Sequence, residues 1–503
     1  MRDLDKKSRG YILDKHDLLW IGGLIGIVIL TRIPFLDTGF GRADAWRVAV
    51  CGKFLVEMGE YFPSRPPGFP LLEILSAGSY FLFLGSKLTW VFLNAFTTVI
   101  FCYSVYLIFK LARHWNLSSP ILIAVIYAFA PLNWVYSVET IDYVWVEFLL
   151  LSGIVILADK QRPGGKHPGL FHGLILSLAV AARFLAIVPA VANLYVFGKI
   201  SKDNFRVAVI TFTAGIVIFY GIVFADIRDW GNYFEWFTHL NKITSGYAET
   251  GGGVFVRKYL VPASSLFGPL ASIGIIAGII YGAKNIRNRL KERFGAAFLC
   301  ILMCVCIMAP YLWHLHQNYW IPAIPFILLL LGMAVDWKYL LIIAIFVTGS
   351  NFPWWKQNVE GLGSSISGPI APYQNVTIFE ESKMRKILMS SVEELVNANL
   401  PDDWVIMSSF RLPLIQFYIP GIEKIEIGDN SDITGWRSPD GGPVFVYLLS
   451  PGEAGSAIES DFHVVYLPGI DSTYKASYDV EIWEVDGVEM LYREGDEGLT
   501  VFE

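Results

Sequence analysis

Charge is scarce in this sequence. Of its 503 residues only 17% are charged, against 54% hydrophobic, a balance that excludes an ordinary soluble protein. Cysteine is scarce too. The five that occur (Cys51, Cys102, Cys300, Cys304 and Cys306) all precede residue 352, at spacings that offer neither a disulfide framework nor a zinc-type ligand set. The polar C-terminal part has no GxGxxG, P-loop or nucleophile-elbow signature. No internal repeat is visible, which removes the usual sign of a two-fold transporter. The N-terminal stretch MRDLDKKSRGYILDKHD is mixed in charge, and no small-residue cleavage site follows its apolar run. The first run is therefore expected to stay as a span and not to be removed as a signal peptide.

What the chain has in abundance is long apolar runs. They fall near 18–36, 67–84, 88–109, 119–138, 141–158, 169–182, 184–198, 205–224, 264–283, 295–313, 320–335 and 339–351. A helix of about 20 residues spans a hydrocarbon core of roughly 30 Å, so so many runs describe a polytopic α-helical membrane protein. The connections Lys110 to His114, DKQRPGGKH (159–167), Lys199 to Arg206 and KNIRNRLKER (284–293) are basic, and the positive-inside tendency places them, with the N-terminus, in the cytoplasm. That parity fails if 67–84 crosses. It holds if this run, introduced by YFPSRPPGFP, lies in the interface and if 169–198 is a hairpin turning near Arg183. The count is then about eleven spans, with an exterior loop at 37–87 and the C-terminal end outside.

Residues 1–351 carry a net charge of +10 and residues 352–503 a net of −16. The second figure fits a solvated acidic domain and argues against a nucleic-acid partner. EESKMRKILMSSVEELVNANL (380–400) has helical periodicity, and WVIMSS, KIEIG, PVFVYLLS, FHVVYL and VEIWEV read as strands, so 352–503 is expected to be an extracytoplasmic α/β domain. The sequon at Asn375 is compatible with an exterior location.

The exterior face collects the residues able to do chemistry. GRADAWR (41–47) sets Asp44 between Arg42 and Arg47, Arg65 lies in the same loop, and the ETID turn adds Glu139 and Asp142. Each has a plain alternative. Asp44 is a surface charge or a general base, Arg65 a solvated cation or a phosphate ligand. Glu139 and Asp142, at i and i+3, would share a face on a helix start, where acids also serve as caps. Arg183 lies in an apolar run, where an ionisable group is costly and points to a carboxylate or phosphate partner. Asp44, Asp142 and Glu139 are also candidate ligands for a divalent metal ion. His314 and His316 in HLHQNYW suit a metal only if extended, and Arg257, Lys258 and Tyr259 follow a glycine run at 251–253. Carboxylates and arginines at one membrane surface suit a lipid-linked, phosphorylated substrate.

The first span, the early exterior Asp44, the Arg65-Pro66-Pro67 ahead of a juxtamembrane apolar helix, and the later exterior acid before a further span resemble the GT-C glycosyltransferases. The branch most similar holds the protein O-mannosyltransferases and the bacterial aminoarabinose transferases of lipid A. The resemblance covers about residues 15–335. It implies a multi-pass protein of the cell membrane that transfers a sugar from a polyprenyl-phosphate donor to a protein, lipid or glycan acceptor at the non-cytoplasmic face. By motif position Asp44 resembles the family's essential first-loop acid, Asp142 its second exterior carboxylate, Arg65 the basic residue on the donor phosphate, and Tyr319 the tyrosine before its proline run. Arg183 and Arg42 are further phosphate candidates. The sequence departs from the family pattern in Asn318, where an arginine is usual, in Ala45 after Asp44, and in Trp354-Trp355-Lys356, which lacks the aspartate of the oligosaccharyltransferase branch. The competing readings are a transporter or lipid flippase built around Arg183, and a catalytically silent binding or assembly protein.

Overall fold

A computed structural model describes nearly all of residues 14–159, 168–226, 290–311 and 317–351. It also describes scattered positions at 267–276 and 378–396 and short segments between 405 and 500. The span expected at 264–283, most of the loops at 226–262 and 284–293, His314, His316, the Asn375 sequon and Trp354 to Lys356 lie outside the described residues or largely so.

Apolar runs and prolines set the elements. The helices are α1 (Lys15–Arg32), α2 (Ala43–Glu57), α3 (Pro70–Phe83), α4 (Leu88–His114), α5 (Pro120–Phe129), α6 (Pro131–Tyr136), α7 (Asp142–Asp159), α8 (Pro168–Ala182), α9 (Ile187–Ile200), α10 (Lys202–Asp226), α11 (Phe294–Met308), α12 (Ile324–Ala334), α13 (Trp337–Gly349) and α14 (Leu412–Tyr418). Asp14 starts α1 by accepting the Asp17 amide at 2.7 Å, and proline stands in the first turn of α3, α5, α6 and α12, where its missing donor costs nothing.

Long helices alternate in direction, and their contacts show it. Arg113 at the end of α4 pairs with Asp17 at the start of α1, while Asn94 near the start of α4 donates to the Leu36 carbonyl at 3.2 Å. These two helices are antiparallel. In α4 and α7, Phe96 meets Trp145 and Lys110 meets Asp159, so they run in parallel. His172 stacks on Phe197 at 4.3 Å, and Leu176 and Asn193 both close on Gly153. Residues mirrored about Arg183 thus meet, and α8 and α9 form an antiparallel hairpin. Arg293 binds the carbonyls of Trp115 and Asn116 at 3.1 and 2.9 Å, Ser118 binds that of Val335, and Asn351 that of Phe129, which places the ends of α11, α12 and α13.

One apolar run breaks. Pro131 separates α5 from α6 because it can neither donate to the preceding turn nor leave room for its carbonyl. The carbonyls left open are each taken by a side chain. Asn133 donates to Tyr127, Arg32 to Ala128 and Asn351 to Phe129. Arg32 is fully buried with its guanidinium 4.4 Å from the Trp134 ring, a cation held by π-faces, the Ala128 carbonyl and the hydroxyls of Thr31 and Ser137.

Three of the described helices are long and apolar enough to cross a membrane unaided: Lys15–Phe35, Leu88–His114 and Lys202–Ala225. Seven shorter apolar helices pack among them. The apolar runs, unequal in length in the sequence, thus fold among the described residues as a few full-length helices and several short ones. Outward faces are apolar, with Leu19, Leu30, Val217, Ile218 and Ile345 all exposed, as in the lipid-facing surface of a multi-pass membrane protein.

Segment 67–84 does not run the length of the bundle. Gly68 lies against Val223 near the end of α10, and Ser79 donates to the Thr89 carbonyl at the start of α4. Both ends of α3 are thus at one end of the bundle. There α2, α3 and the start of α4 form a platform around Trp46, Tyr80 and Trp90, and α14 docks on it through Phe417 and Leu414. Lys53 donates to the Phe417 carbonyl at 2.6 Å.

The C-terminal segment carries a seven-stranded sheet, β1 (Val405–Ser408), β2 (Glu423–Glu426), β3 (Val444–Tyr447), β4 (Phe462–Val465), β5 (Glu481–Val485), β6 (Val488–Gly495) and β7 (Gly498–Thr500). The order is β2-β1-β3-β4-β6-β5, with β7 on β6. The first four strands are parallel, with Val405 opposite Glu423 and Val444. The pairs of β6 are antiparallel.

Candidate functional site

The platform end of the bundle holds three carboxylates, each bound to a guanidinium. Asp44 stands in the first turn of α2, a position the helix dipole favours for an anion. Its Oδ1 accepts from Arg47 at 3.0 Å and pairs with Arg65. Arg65 reaches it from the loop before α3, and that loop is fixed from below. The fully buried Glu73 accepts the Ser64 amide at 2.7 Å together with the hydroxyls of Ser64 and Tyr61. Burial pushes the Glu73 carboxyl above the usual range even though these hydrogen bonds pull the other way.

Asp142 opens α7 and pairs with Arg183. The hairpin break puts Arg183 in extended backbone between α8 and the next helical turn, which frees its side chain to reach across. Its guanidinium lies 4.8 Å from the Tyr143 ring and 5.2 Å from the Tyr319 ring. Tyr319 comes from the 3-10 segment Gln317–Ala323. Asp44 and Arg65 are both near enough to Asp142 to act on its charge, so the two pairs form one electrostatic unit. Beside Arg183 opens a cleft lined by Tyr143, Val146, Leu185, Ile307 and Tyr319, apolar apart from the cation and the phenols.

Glu139 faces another way. It precedes α7, so it does not share the face of Asp142 that an i, i+3 helical spacing would give. Its Oε1 accepts the Arg42 amide at 2.7 Å, and its Oε2 pairs with Arg385 at 2.8 Å. Glu139 and Arg385 are both buried from solvent. Arg42 caps α2 with its backbone, and its guanidinium lies 5.6 Å from the Tyr136 ring. The ETID turn is pinned to α4, with the Thr140 amide donating to Asn94 and the Trp145 indole to Thr97.

Sequence reasoning thus names seven residues that converge here: Asp44, Arg65, Asp142, Arg183, Tyr319 and, one layer behind, Glu139 with the Arg42 backbone. It missed Arg385, which reads as one cation in the charged helical stretch ESKMRK, and it missed Tyr143. The signal for Tyr143 is its place next to Asp142 at a helix start, where an aromatic beside a buried arginine supplies a π-face.

The architecture of the described residues is a bundle of apolar helices of the kind that multi-pass membrane proteins have. Solved structures with a similar fold include two of ArnT from Cupriavidus metallidurans. The first, bound to undecaprenyl phosphate, matches with a TM-score of 0.56 at 12% sequence identity over 94% of this chain and 98% of that one. The second, in the apo state, matches with a TM-score of 0.53 at 12% identity over 93% and 98%. The likeness is one of fold. No family model matches the chain, and no curated protein matches it in sequence.

Proposed function

We propose that this protein is a membrane glycosyltransferase that takes a sugar from a polyprenyl-phosphate donor and transfers it to a hydroxyl or amine of a protein, lipid or glycan acceptor at the non-cytoplasmic face. The observation that carries this reading is the coupling of Asp44–Arg65 with Asp142–Arg183 at one end of the bundle, beside an apolar cleft. The arginines take the phosphate, and the apolar side chains around Arg183 offer the lipid chain a surface to run against. The ArnT structure that holds undecaprenyl phosphate in the same fold supports the choice of carrier.

In the reaction the acceptor heteroatom attacks the anomeric carbon. The bond from that carbon to the phosphate oxygen breaks, and its electron pair leaves with the polyprenyl phosphate. Arg65 and Arg183 hold the charge that develops on the leaving phosphate. The acceptor proton goes to Asp44. The resting Asp44–Arg65 pair fits this sequence of events, because an arriving phosphate competes for Arg65 and frees the Asp44 carboxylate to act as base. Phosphate is already a good leaving group, so no strong general acid is needed.

A divalent ion is less well matched to these residues. Asp44, Asp142 and Glu139 each hold a guanidinium, and no group of three His, Cys, Asp or Glu converges among the described residues. An ion at Asp44 would have to displace both arginines. The orientation, with the basic N-terminal end cytoplasmic and residues 352–503 a separate extracytoplasmic domain, belongs to the same proposal. It rests on the segregation of Lys110, Arg113 and Arg293 to the end of the bundle opposite the site. A cysteine at Ser456 should react with an impermeant reagent added outside intact cells; labelling only after permeabilisation would overturn this orientation. The catalytic reading is tested by Asp44→Asn, expected to fold and to lose sugar transfer. Wild-type turnover in that variant would remove Asp44 from the chemistry.

A further inference from the structure

The strongest feature that sugar transfer leaves unused is the buried pair between Glu139 and Arg385. Arg385 is far from the bundle in sequence, within the described helical positions of 378–396. The positions from that stretch that are buried, Ile378, Ser382, Arg385, Met389 and Val392, recur at helical spacing. They lie against the stretch between α1 and α2 and against the ETID turn. Phe379 meets Phe35 edge-on at 5.4 Å, and Met389 fills the space over Gly39 so closely that a Cβ there would come within 2.8 Å of its sulfur. Arg385 Nη2 binds Glu139 Oε2 at 2.8 Å, and Nη1 reaches the Val138 carbonyl at 3.4 Å. The other Glu139 oxygen holds the Arg42 amide, the residue immediately outside the first turn of α2 that carries Asp44.

We infer that Arg385 is a positioning residue of the site. Through Glu139 and the Arg42 amide it fixes the first turn of α2, and with it the place of Asp44. A buried carboxylate with no cation would turn toward other donors, and that movement slackens its hold on the Arg42 amide. The C-terminal segment is then a working part of the site and not an appendage. This inference rests on the reading of Asp44 as the reacting carboxylate, but the position of Asp44 is measurable without turnover.

The experiment uses the full-length protein in lipid nanodiscs. Asp44→Cys is combined with Arg385→Ala or with native Arg385, and the rate of maleimide addition at position 44 is followed by peptide mass spectrometry. Asp37→Cys, at an exposed site of the same loop, serves as control. Loss of Arg385 is expected to change the rate at position 44 by about fivefold or more, the scale of coupling between residues of one network, and to leave the control rate alone. Arg385→Lys should restore most of the native rate. With Asp44 intact, Arg385→Ala should lower kcat by about 10-fold to 100-fold with donor KM little changed, as displacement of a reacting group does. Should Arg385→Ala fail to fold, the double variant Glu139→Gln with Arg385→Gln replaces it, with the same shift expected. Equal rates at position 44 in every background would overturn the inference, as would native kcat in Arg385→Ala. If the wild type consumes no donor at all, the function fails, while the maleimide rates still decide the role of Arg385.

Discussion

The two ends of the bundle are built from the same ion-pair chemistry and use it differently. At the basic end, Lys110–Asp159 and Arg113–Asp17 join neighbouring helices, and the cationic partners are in part solvated. At the platform end, Asp142–Arg183 and Glu139–Arg385 are almost wholly withdrawn from water, and Asp44 is shared between two arginines. Solvated pairs contribute about 0–1 kcal/mol because water screens them. A desolvated pair is costly to assemble and more costly to break, so its presence needs a reason beyond stability. One end fastens helices; at the other, Asp142–Arg183 and Glu139–Arg385 are withdrawn from water while Asp44–Arg65 stays partly open, the arrangement that the proposed function assigns to an incoming phosphate.

The sharpest break of this contrast is at Asp44. Asp44→Asn should lower turnover by roughly 100-fold to 10,000-fold, the usual worth of a general base, with an unchanged unfolding temperature. Next comes Arg183→Ala, and with it Arg65→Ala. Each should cost about 100-fold in kcat/KM for the donor, the scale of one lost donor to a developing anion. Arg183→Lys should rescue poorly, because lysine lacks the planar fork and stacks less well between Tyr143 and Tyr319. Then follow the structural pairs. Arg385→Ala leaves Glu139 buried without its cation and should destabilise the protein by about 3–5 kcal/mol in denaturant unfolding. Lys110→Ala, at the opposite end, should cost about 1 kcal/mol or less and leave turnover intact. The smallest effect expected is that of a chelator, since guanidinium groups already occupy the carboxylates. Donor turnover should survive treatment with EDTA, and its loss with recovery on adding a divalent ion would place a metal at Asp44.

Much of this architecture was readable from the sequence, and the reasons differ from segment to segment. Hydropathy marks the long helices because a membrane admits few alternatives. The non-crossing run at 67–84 and the turn at Arg183 follow from charge parity, and the platform and the α8–α9 hairpin agree with both. Asp44, Arg65 and Asp142 stand out because ionisable groups at the ends of apolar runs are few. Arg385 does not, since a charged amphipathic helix reads as solvated until its partner is known. The same limit hides Arg32, which looks like a snorkelling end residue but is sealed among Phe101, Phe129 and Trp134. Pro131 could have split the 119–138 run beforehand. The Asp486-Gly487 pair could have signalled the second arm of the β5–β6 hairpin, which pairs Val485 with Val488. Helix α2 was hidden inside a segment read as loop, because its mix of small, charged and apolar residues resembles neither a span nor a strand.

The most direct measurement of the central claim is donor consumption. Purified wild-type protein and Asp44→Asn are incubated with a panel of polyprenyl-phosphate sugars, and intact donor and free polyprenyl phosphate are quantified by mass spectrometry. The wild type should consume at least one donor and release its polyprenyl phosphate, while Asp44→Asn leaves the same donor intact. No loss of any donor with the wild type, or equal loss with the variant, would contradict the account.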